Sequence, residues 1–464
     1  MAGVIDPGPR PAAGLSCRLA RFVCDTGWDD LPPVVRDHAV RSVFNGFGTA
    51  LGGSSDAVIT RLSGSLAPFS AQPQATAIGH AHRFDMPTAA FLNAAAVNVF
   101  DFDDSHAGTI IHPTAPILPV VLALAETHPV SGADLLLAFT LGVEIACRIG
   151  NAVSPQHYDR GWHITSTCGI FGAAAAAAKL LRLSEEQTLW ALGNASAQSS
   201  GLVETLGYMA KSVGVGAAAR NGLMAALMAR AGVEGPPAPI EGPRGFLAVC
   251  CDQPRPDRIE DGLGANWEML RNMFKPYPCG VVLNPVIDAC LGAHAHADFD
   301  VAQIAGIVVR GNPLLKARTD RPDAATGREA QVSAQHAVAV SLMRASAGAA
   351  DFSDAAAADP ALMALRRKVD RIEADPAIPV DAVRITVRRA DGQTVDLAED
   401  TASGSLRRPM TDPALRAKFA ALARYGCPSV DADSLAAALW SLADMVDAGS
   451  IMALARPPRP GSTS

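Results

Sequence analysis

Apolar positions recur at helical spacing through most of the first half of the chain. Ala39, Val40, Val43, Phe44, Phe47, Ala50 and Leu51 repeat three and four apart, behind Pro32-Pro33 and ahead of Gly52-Gly53. That pattern predicts one amphipathic helix with a proline start and a glycine stop. Ser131 with Asp134 reads as a capping box opening a helix through Cys147, and Ser184 with Gln187 as another. An alanine-rich helix is expected around 171–183, and helix follows helix to about residue 235. The period then changes. A Gly/Pro-rich loop at 234–245 precedes the run AGIVVR at 305–310, which reads as a strand. Val383, Ile385 and Val387 alternate, Asp391-Gly392 supplies a turn, and Val395 and Leu397 complete a hairpin pattern. Helical spacing returns at 334–344, 412–423 and 434–446. The predicted fold is mostly α with an α+β part. A large all-helical domain (1–268) is followed by a smaller α+β domain (269–402), and C-terminal helices (403–464) return to the first. The Pro/Gly/Ser-rich ends, 1–14 and 456–464, are expected to be loose.

Composition narrows the classes. At 464 residues the chain exceeds what one core usually supports, and 49% hydrophobic against 18% charged residues fits a well-buried globule. A net charge of −7 without any Lys/Arg-rich run argues against a nucleic-acid partner. Nine scattered cysteines with no CxxC read as reduced structural thiols. The first residues carry neither the cationic nor the apolar segment of a secretion signal, and the apolar run at 110–125 is broken by Pro113, Pro116 and Pro119. No membrane span is expected, and the cytoplasm is the expected compartment.

The chemistry concentrates in Asp101-Phe102-Asp103-Asp104-Ser105-His106, followed by His112-Pro113. Ionisable groups beside core-forming sequence cost folding free energy unless paired, and chains keep that cost where the groups act. Three readings stand: carboxylates capping a helix in solvent, a metal site, or an imidazole charged and oriented by a carboxylate. HExxH, paired cysteines and EF-hand spacing are absent from the sequence, so no metal is assigned. His163 lies in GWHITSTCG just before the alanine-rich helix, whose first N–H groups could receive an anion. Only six lysines occur among 39 basic residues. A chain so biased towards arginine has little use for lysine as a surface solubiliser. Lys211, among glycines, and Lys275, in the FKPYPCG turn, are therefore candidates to grip carboxylates or move a proton. Gly214-Val215-Gly216 follows no strand, and Walker A and GxSxG patterns are absent from the sequence. The FDDSH run also resembles the aspartate-rich diphosphate site of metal-dependent terpenoid enzymes, but no second acidic motif accompanies it.

Six segments in order, DFDDSHAGTIIHPTAPILPVVLALAE, GWHITSTCGIFGAAAAAAKLLRLS, AKSVGVGAAARNGLMAALMARAG, FKPYPCGVVLNPVIDAC, EAQVSAQHAVAVSLMR and MTDPALRAKF, resemble the MmgE/PrpD family. The resemblance implies a helical domain closed by an α+β lid, a homodimer, and catalysis without metal or organic cofactor. By motif it implies catalytic roles for His163, Lys211, His112 and Asp101, and substrate contacts for Lys275, Asp104, Ser105, Tyr277 and His336. The chain departs from the family's decarboxylases, which carry a histidine in a "PAH" turn, by having Pro278-Cys279-Gly280. It also has His336 where a tyrosine is expected and Asn284 where many relatives have histidine. These departures point away from cis-aconitate decarboxylation and from the "PAEFH" turn of methylcitrate dehydratases, towards the branch resembling iminodisuccinate epimerase. The expected activity is removal of an α-proton from a small di- or tricarboxylate, with a methylcitrate dehydratase-like hydro-lyase as the alternative. A terpenoid-type enzyme or a non-catalytic member stands as the different class. His163→Gln is expected to abolish turnover with the circular-dichroism melt unchanged; near-normal activity would remove His163 from the base role.

Overall fold

Proline and glycine punctuation sets the first long helix as expected. In a computed structural model that describes residues 14–295 and 299–457, α1 (Leu15–Asp25) is followed by α2 (Pro33–Gly53). Residues 1–13 and 458–464, within the two ends expected to be loose, lie outside the described residues. The other long helices of the large domain are α3 (Ala57–Leu66), α4 (Met86–Asn98), α5 (Thr114–Ala125), α6 (Gly132–Val153), α7 (Ile164–Leu180), α8 (Glu185–Ser196) and α9 (Ala210–Arg230). Both predicted caps form: the Ser131 hydroxyl accepts from Asp134 N, and Ser184 with Gln187 closes a full capping box. The α6 helix runs six residues past the expected end. The alanine-rich helix starts earlier than its alanines suggest, because His163 rather than a Ser or Asp is its N-cap.

The alanines explain the packing. Ala173–Ala178 are all buried in α7, which packs between α6 and α9. The α6–α7 crossing is close enough that a Cβ at Gly142 would meet the Gly172 carbonyl oxygen at 2.7 Å. Small side chains let these backbones approach, and dispersion between many short contacts replaces the bulk of aromatic side chains. By length and composition α6 could cross a membrane, but 94% of its apolar window is buried among the other helices.

One buried ion pair anchors this layer. Arg148 Nε lies 3.0 Å from Glu144 Oε2 one turn earlier on α6, with both side chains fully buried. The remaining Arg148 nitrogens donate to the carbonyls of Ile259, Asp261, Gly262 and Asn266, while Glu144 Oε1 accepts from Met269 N. A loop too polar to bury itself is thereby fastened to the core.

The smaller domain has its own apolar core, drawn from residues between Cys279 and Leu397. Strand β1 (Asp104–His106) of the large domain pairs antiparallel with β2 (Asn272–Phe274). The sheet of the smaller domain contains β3 (Ile304–Gly311), β4 (Val369–Ala374), β5 (Val383–Arg389) and β6 (Thr394–Glu399), in the order β4-β3-β5-β6. The predicted hairpin is β5–β6, turning at Gly392 with φ +84°. The pattern did not predict β4, an edge strand in which only Val369 and Ile372 are buried. A parallel edge strand that buries one residue in three shows no alternation to read. Helices α10 (Asn284–Gly292), α11 (Pro313–Thr319) and α12 (Ala334–Arg344) contribute to the core of this domain, as do Leu362 and Leu365 of the short helix Pro360–Arg366. The chain then returns: α13 (Asp412–Gly426) packs on α2, and α14 (Ala432–Trp440) on both. The last expected helix ends at Trp440, short of residue 446, and a 3-10 turn (Leu442–Asp444) follows it.

Burial already raises Glu144 to about 7 against the pull of Arg148, so removing Arg148 leaves a buried carboxyl without its partner. Arg148→Met should lower unfolding free energy by roughly 3–5 kcal/mol, and adding Glu144→Gln should recover part of that loss, read by urea denaturation.

Candidate active site

The β1–β2 ladder brings the aspartate-rich run beside Lys275. Its register sets Asp104 opposite Phe274 and His106 opposite Asn272, so the chain leaves β2 directly under Asp101. Asp101 itself has φ +52°, a left-handed conformation that favours glycine or a residue locked by its surroundings. Here the locks are explicit. Asp101 N donates to Asn98 O, and Lys275 Nζ donates to Asp101 O at 3.0 Å.

The Asp101 carboxylate sits between two ammonium groups. Lys211 Nζ, at the start of α9, lies 2.9 Å from Oδ1, and Lys275 Nζ lies 3.0 Å from Oδ2. Burial alone would raise the Asp101 pKa, but Lys211, Lys275 and His112 together hold it well below the usual carboxylate range. His112 Nε2 is 3.4 Å from Asp101 Oδ1, and its Nδ1 donates to Asp104 O at 2.6 Å. The same Nδ1 is 3.2 Å from Asp103 Oδ1, and the other Asp103 oxygen accepts from Asn98. Asp103, fully buried, is also depressed: His112 and Lys275 overcome its desolvation.

His163 faces this cluster from the N-terminus of α7. Its Nδ1 is 2.8 Å from Ser166 Oγ, and its backbone N–H donates to Gly201 O. Among the described residues its Nε2 has no hydrogen-bond partner. Gly201 has φ +137° and packs so tightly that a Cβ would meet Ser166 Cβ at 2.7 Å. Burial, then the charges on Lys211 and His112, lower His163 to about 3, so its imidazole is neutral. These groups line a cavity of about 370 Å³, with Ser105, Ile110, Tyr158, Thr165 and Tyr208 on the same side. The smaller domain contributes Gly280, Arg318, Arg321, Arg328 and Gln331 to the lining.

The structure gathers Asp101, Ser105, His112, His163, Lys211 and Lys275 around one cavity. It separates three residues that the motif assigned to substrate. Asp104 is fully buried behind the wall, where it accepts from Thr114 Oγ1 and Asn272 Nδ2. Burial and the adjacent Asp103 charge raise it to about 6. Tyr277 turns the other way because its hydroxyl donates to Asp288 at 2.5 Å, and it borders a different cleft. His336 is buried in the core of the smaller domain, with Nε2 2.7 Å from Asp351 O and its ring against Phe352. None of the three touches the cavity wall, so their expected substrate contacts are corrected to structural ones.

Three residues were not anticipated. Arg318 and Arg321 carry no motif. Lys418, counted among the six lysines, is buried under the site and donates to Asn45 Oδ1, Phe102 O and Lys275 O at 2.6–2.8 Å. Three acceptors require three N–H groups, so this amine is protonated although desolvation pulls its pKa down. It pins the backbone on both sides of the Asp101–Lys275 contact. Lysine scarcity was the available signal, since half of the lysines meet at this one place.

Asp101, Asp103 and His112 could offer a metal three ligand atoms, all within 4.8 Å of one another. Both Asp101 oxygens already face ammonium groups, and a divalent cation would meet those as like charges. The donor set fits a lysine-compensated anion site rather than a metal.

A two-domain helical and α+β architecture around a lysine–histidine–aspartate cavity defines the class. The MmgE/PrpD N-terminal domain model matches residues 17–259 and the MmgE/PrpD C-terminal domain model matches 277–443. The chain belongs to the MmgE/PrpD family. It is 28% identical to the cis-aconitate decarboxylase-like protein oryM of Aspergillus oryzae, over 96% of this chain and 98% of that protein. It is 29% identical to the cis-aconitate decarboxylase of Mus musculus, over 80% of this chain and 78% of the other. The cis-aconitate decarboxylase of Homo sapiens is also 29% identical, with 80% of each chain covered.

The sign of the Asp101 shift gives a pH test. A depressed carboxylate stabilises the fold above its unfolded pKa of about 3.9 and loses that contribution as pH falls through its folded value. Asp101→Asn should therefore be less stable than wild type at pH 7, with the gap narrowing below pH 4. Asp104, raised, has the opposite sign and is common to both proteins. Urea midpoints at pH 7, 5, 4 and 3 read the difference; a gap independent of pH would refute the charge assignment.

Proposed function

We propose that this chain is a lyase or isomerase that binds a small polycarboxylate and forms a carbanion at the carbon α to one carboxylate. One observation carries the reading: two ammonium groups from separate segments meet beside two histidines on one cavity wall. An α-carbon acid is weak, so the developing enolate needs cations already in place, and each such donor is worth about 10²–10³-fold. Lys211 and Lys275 supply that field, with Asp101 holding them together while the site is empty.

His163 is the base in this reading. A neutral imidazole can accept a proton, but one whose pKa is near 3 is a weak base. A bound polyanion opposes the field of Lys211 and raises that value towards the working range, so substrate charge completes the catalyst. His163 Nε2 takes the α-proton, the C–H electrons pass into the enolate, and His112 or a lysine returns a proton to the carbon. Return to the opposite face is epimerisation, the first reading. Expulsion of a β-hydroxyl would instead be the hydro-lyase outcome.

Decarboxylation is the second reading, favoured by what the similar fungal and mammalian proteins are named. There the C–CO₂ bond breaks, carbon dioxide leaves and its bonding electrons form the same enolate, which a proton then quenches. Against it stands Gly280, which borders the cavity where the decarboxylase turn would carry a histidine. A Cβ built at Gly280 has no heavy atom within 4 Å, so no nearby side chain fills that place. The homodimer and the metal-free reaction belong to the same proposal.

The test is incubation in D₂O with a panel of di- and tricarboxylates, including cis-aconitate, with and without EDTA, followed by NMR and CO₂ release. Isotope exchange with loss of stereochemical purity, and without net elimination, is the expected result. An alkene product or CO₂ would replace epimerisation by dehydration or decarboxylation, and silence across the panel would overturn the polycarboxylate reading.

A further inference from the structure

We propose that Arg318 and Arg321 form an anion-reading pair that grips a substrate carboxylate remote from the reacting carbon. The inference rests on the polycarboxylate reading above and deepens it.

Three arginines of the smaller domain border the cavity, but they are not equivalent. Arg328 is committed: its guanidinium donates to Asp56 Oδ1 at 2.9 Å and to Val99 O at 3.4 Å, strapping the two domains together. Among the described residues Arg318 has only the Tyr158 ring beneath it, at 5.9 Å, an arrangement that orients a guanidinium without neutralising it. Among the described residues the Arg321 guanidinium has no hydrogen-bond or ion-pair partner, although its backbone is held on both sides. Its N–H donates to Gln335 Oε1 at 3.1 Å, and its carbonyl accepts from Ser333 Oγ at 2.6 Å. Gln335 and Ser333 are themselves buried at the start of α12. Asp320, adjacent in sequence, instead accepts from Gln335 and pairs with Lys316.

A loop residue with a fastened backbone and an uncommitted charged fork suits carboxylate recognition, because little ordering remains to be done on binding. The position adds the specificity. Lys211, Lys275 and both histidines line the part of the cavity assigned to proton transfer, whereas Arg318 and Arg321 reach the same cavity from the other domain. A ligand with a carboxylate for each set of cations bridges them; one lacking the remote group engages only the lysines.

The matched probes are tricarballylate and glutarate, which differ by one carboxylate, titrated by calorimetry at fixed low salt. Wild type is expected to prefer tricarballylate, and Arg318→Gln with Arg321→Gln to reduce that preference by about ten- to hundredfold. Arg367→Gln, the same substitution at one exposed position of the smaller domain that does not border the cavity, is expected to keep it. Lys211→Gln should weaken both ligands. A wild-type preference that survives in the double variant, or is absent from wild type, overturns the arginine assignment alone. Wild type binding neither probe overturns the polycarboxylate reading and this inference with it.

Discussion

Two ammonium groups cannot be held side by side within an apolar helical protein without a negative charge between them. Asp101 supplies that charge, one oxygen to each lysine. Its placement requires a left-handed backbone, which costs an L residue about 1–2 kcal/mol. The contact of Lys275 with the Asp101 carbonyl and the buried Lys418 beneath keep it there. The β1–β2 ladder, the return of α13 and the single hydrogen bond from Asn98 to Asp103 all serve this point. Site and fold are stabilised by the same charges.

The cavity is asymmetric in a chemically useful way. One part of the lining holds groups that can move a proton and stabilise an enolate, with their charges balanced while the site is empty. Another holds guanidinium groups only partly engaged by the protein. On the proposed reading an entering polyanion would meet cations from both domains, and its own charge would adjust the basicity of His163. Charge that would be prohibitive in an apolar core is tolerable here because Asp101 pairs with both lysines and the Arg318 and Arg321 side chains stay exposed.

The family supplies a shared framework within which the reaction varies. The lysines, His112 and His163 can serve any chemistry that passes through an enolate. What differs is the turn after Lys275, where Cys279 is buried and Gly280 leaves open space at the cavity. A missing side chain there changes which atom can receive a proton while leaving the cation field intact. That is why likeness to the fungal and mammalian decarboxylases and a different outcome are physically compatible.

Much was legible in the chain itself. Periodicity and punctuation located α2, α6, α8, β3, the β5–β6 hairpin and α12, because each buries one face or is closed by its own caps. The cluster Asp101–His112, His163 and the two lysines were also legible, since ionisable groups beside apolar sequence and rare lysines need an explanation. The edge strand β4 was not, because its neighbours rather than its own pattern make it a strand. Tyr277 and Asp104 lie close in sequence to cavity residues and His336 lies in a family motif, yet turn of chain and hydrogen bonding direct them elsewhere. Arg318, Arg321 and Lys418 show the converse: nothing local marks them, and their meaning comes from what folding brings opposite. Residue chemistry and spacing determined which groups could act; which of them share a cavity depended on long-range packing, which no local pattern encodes.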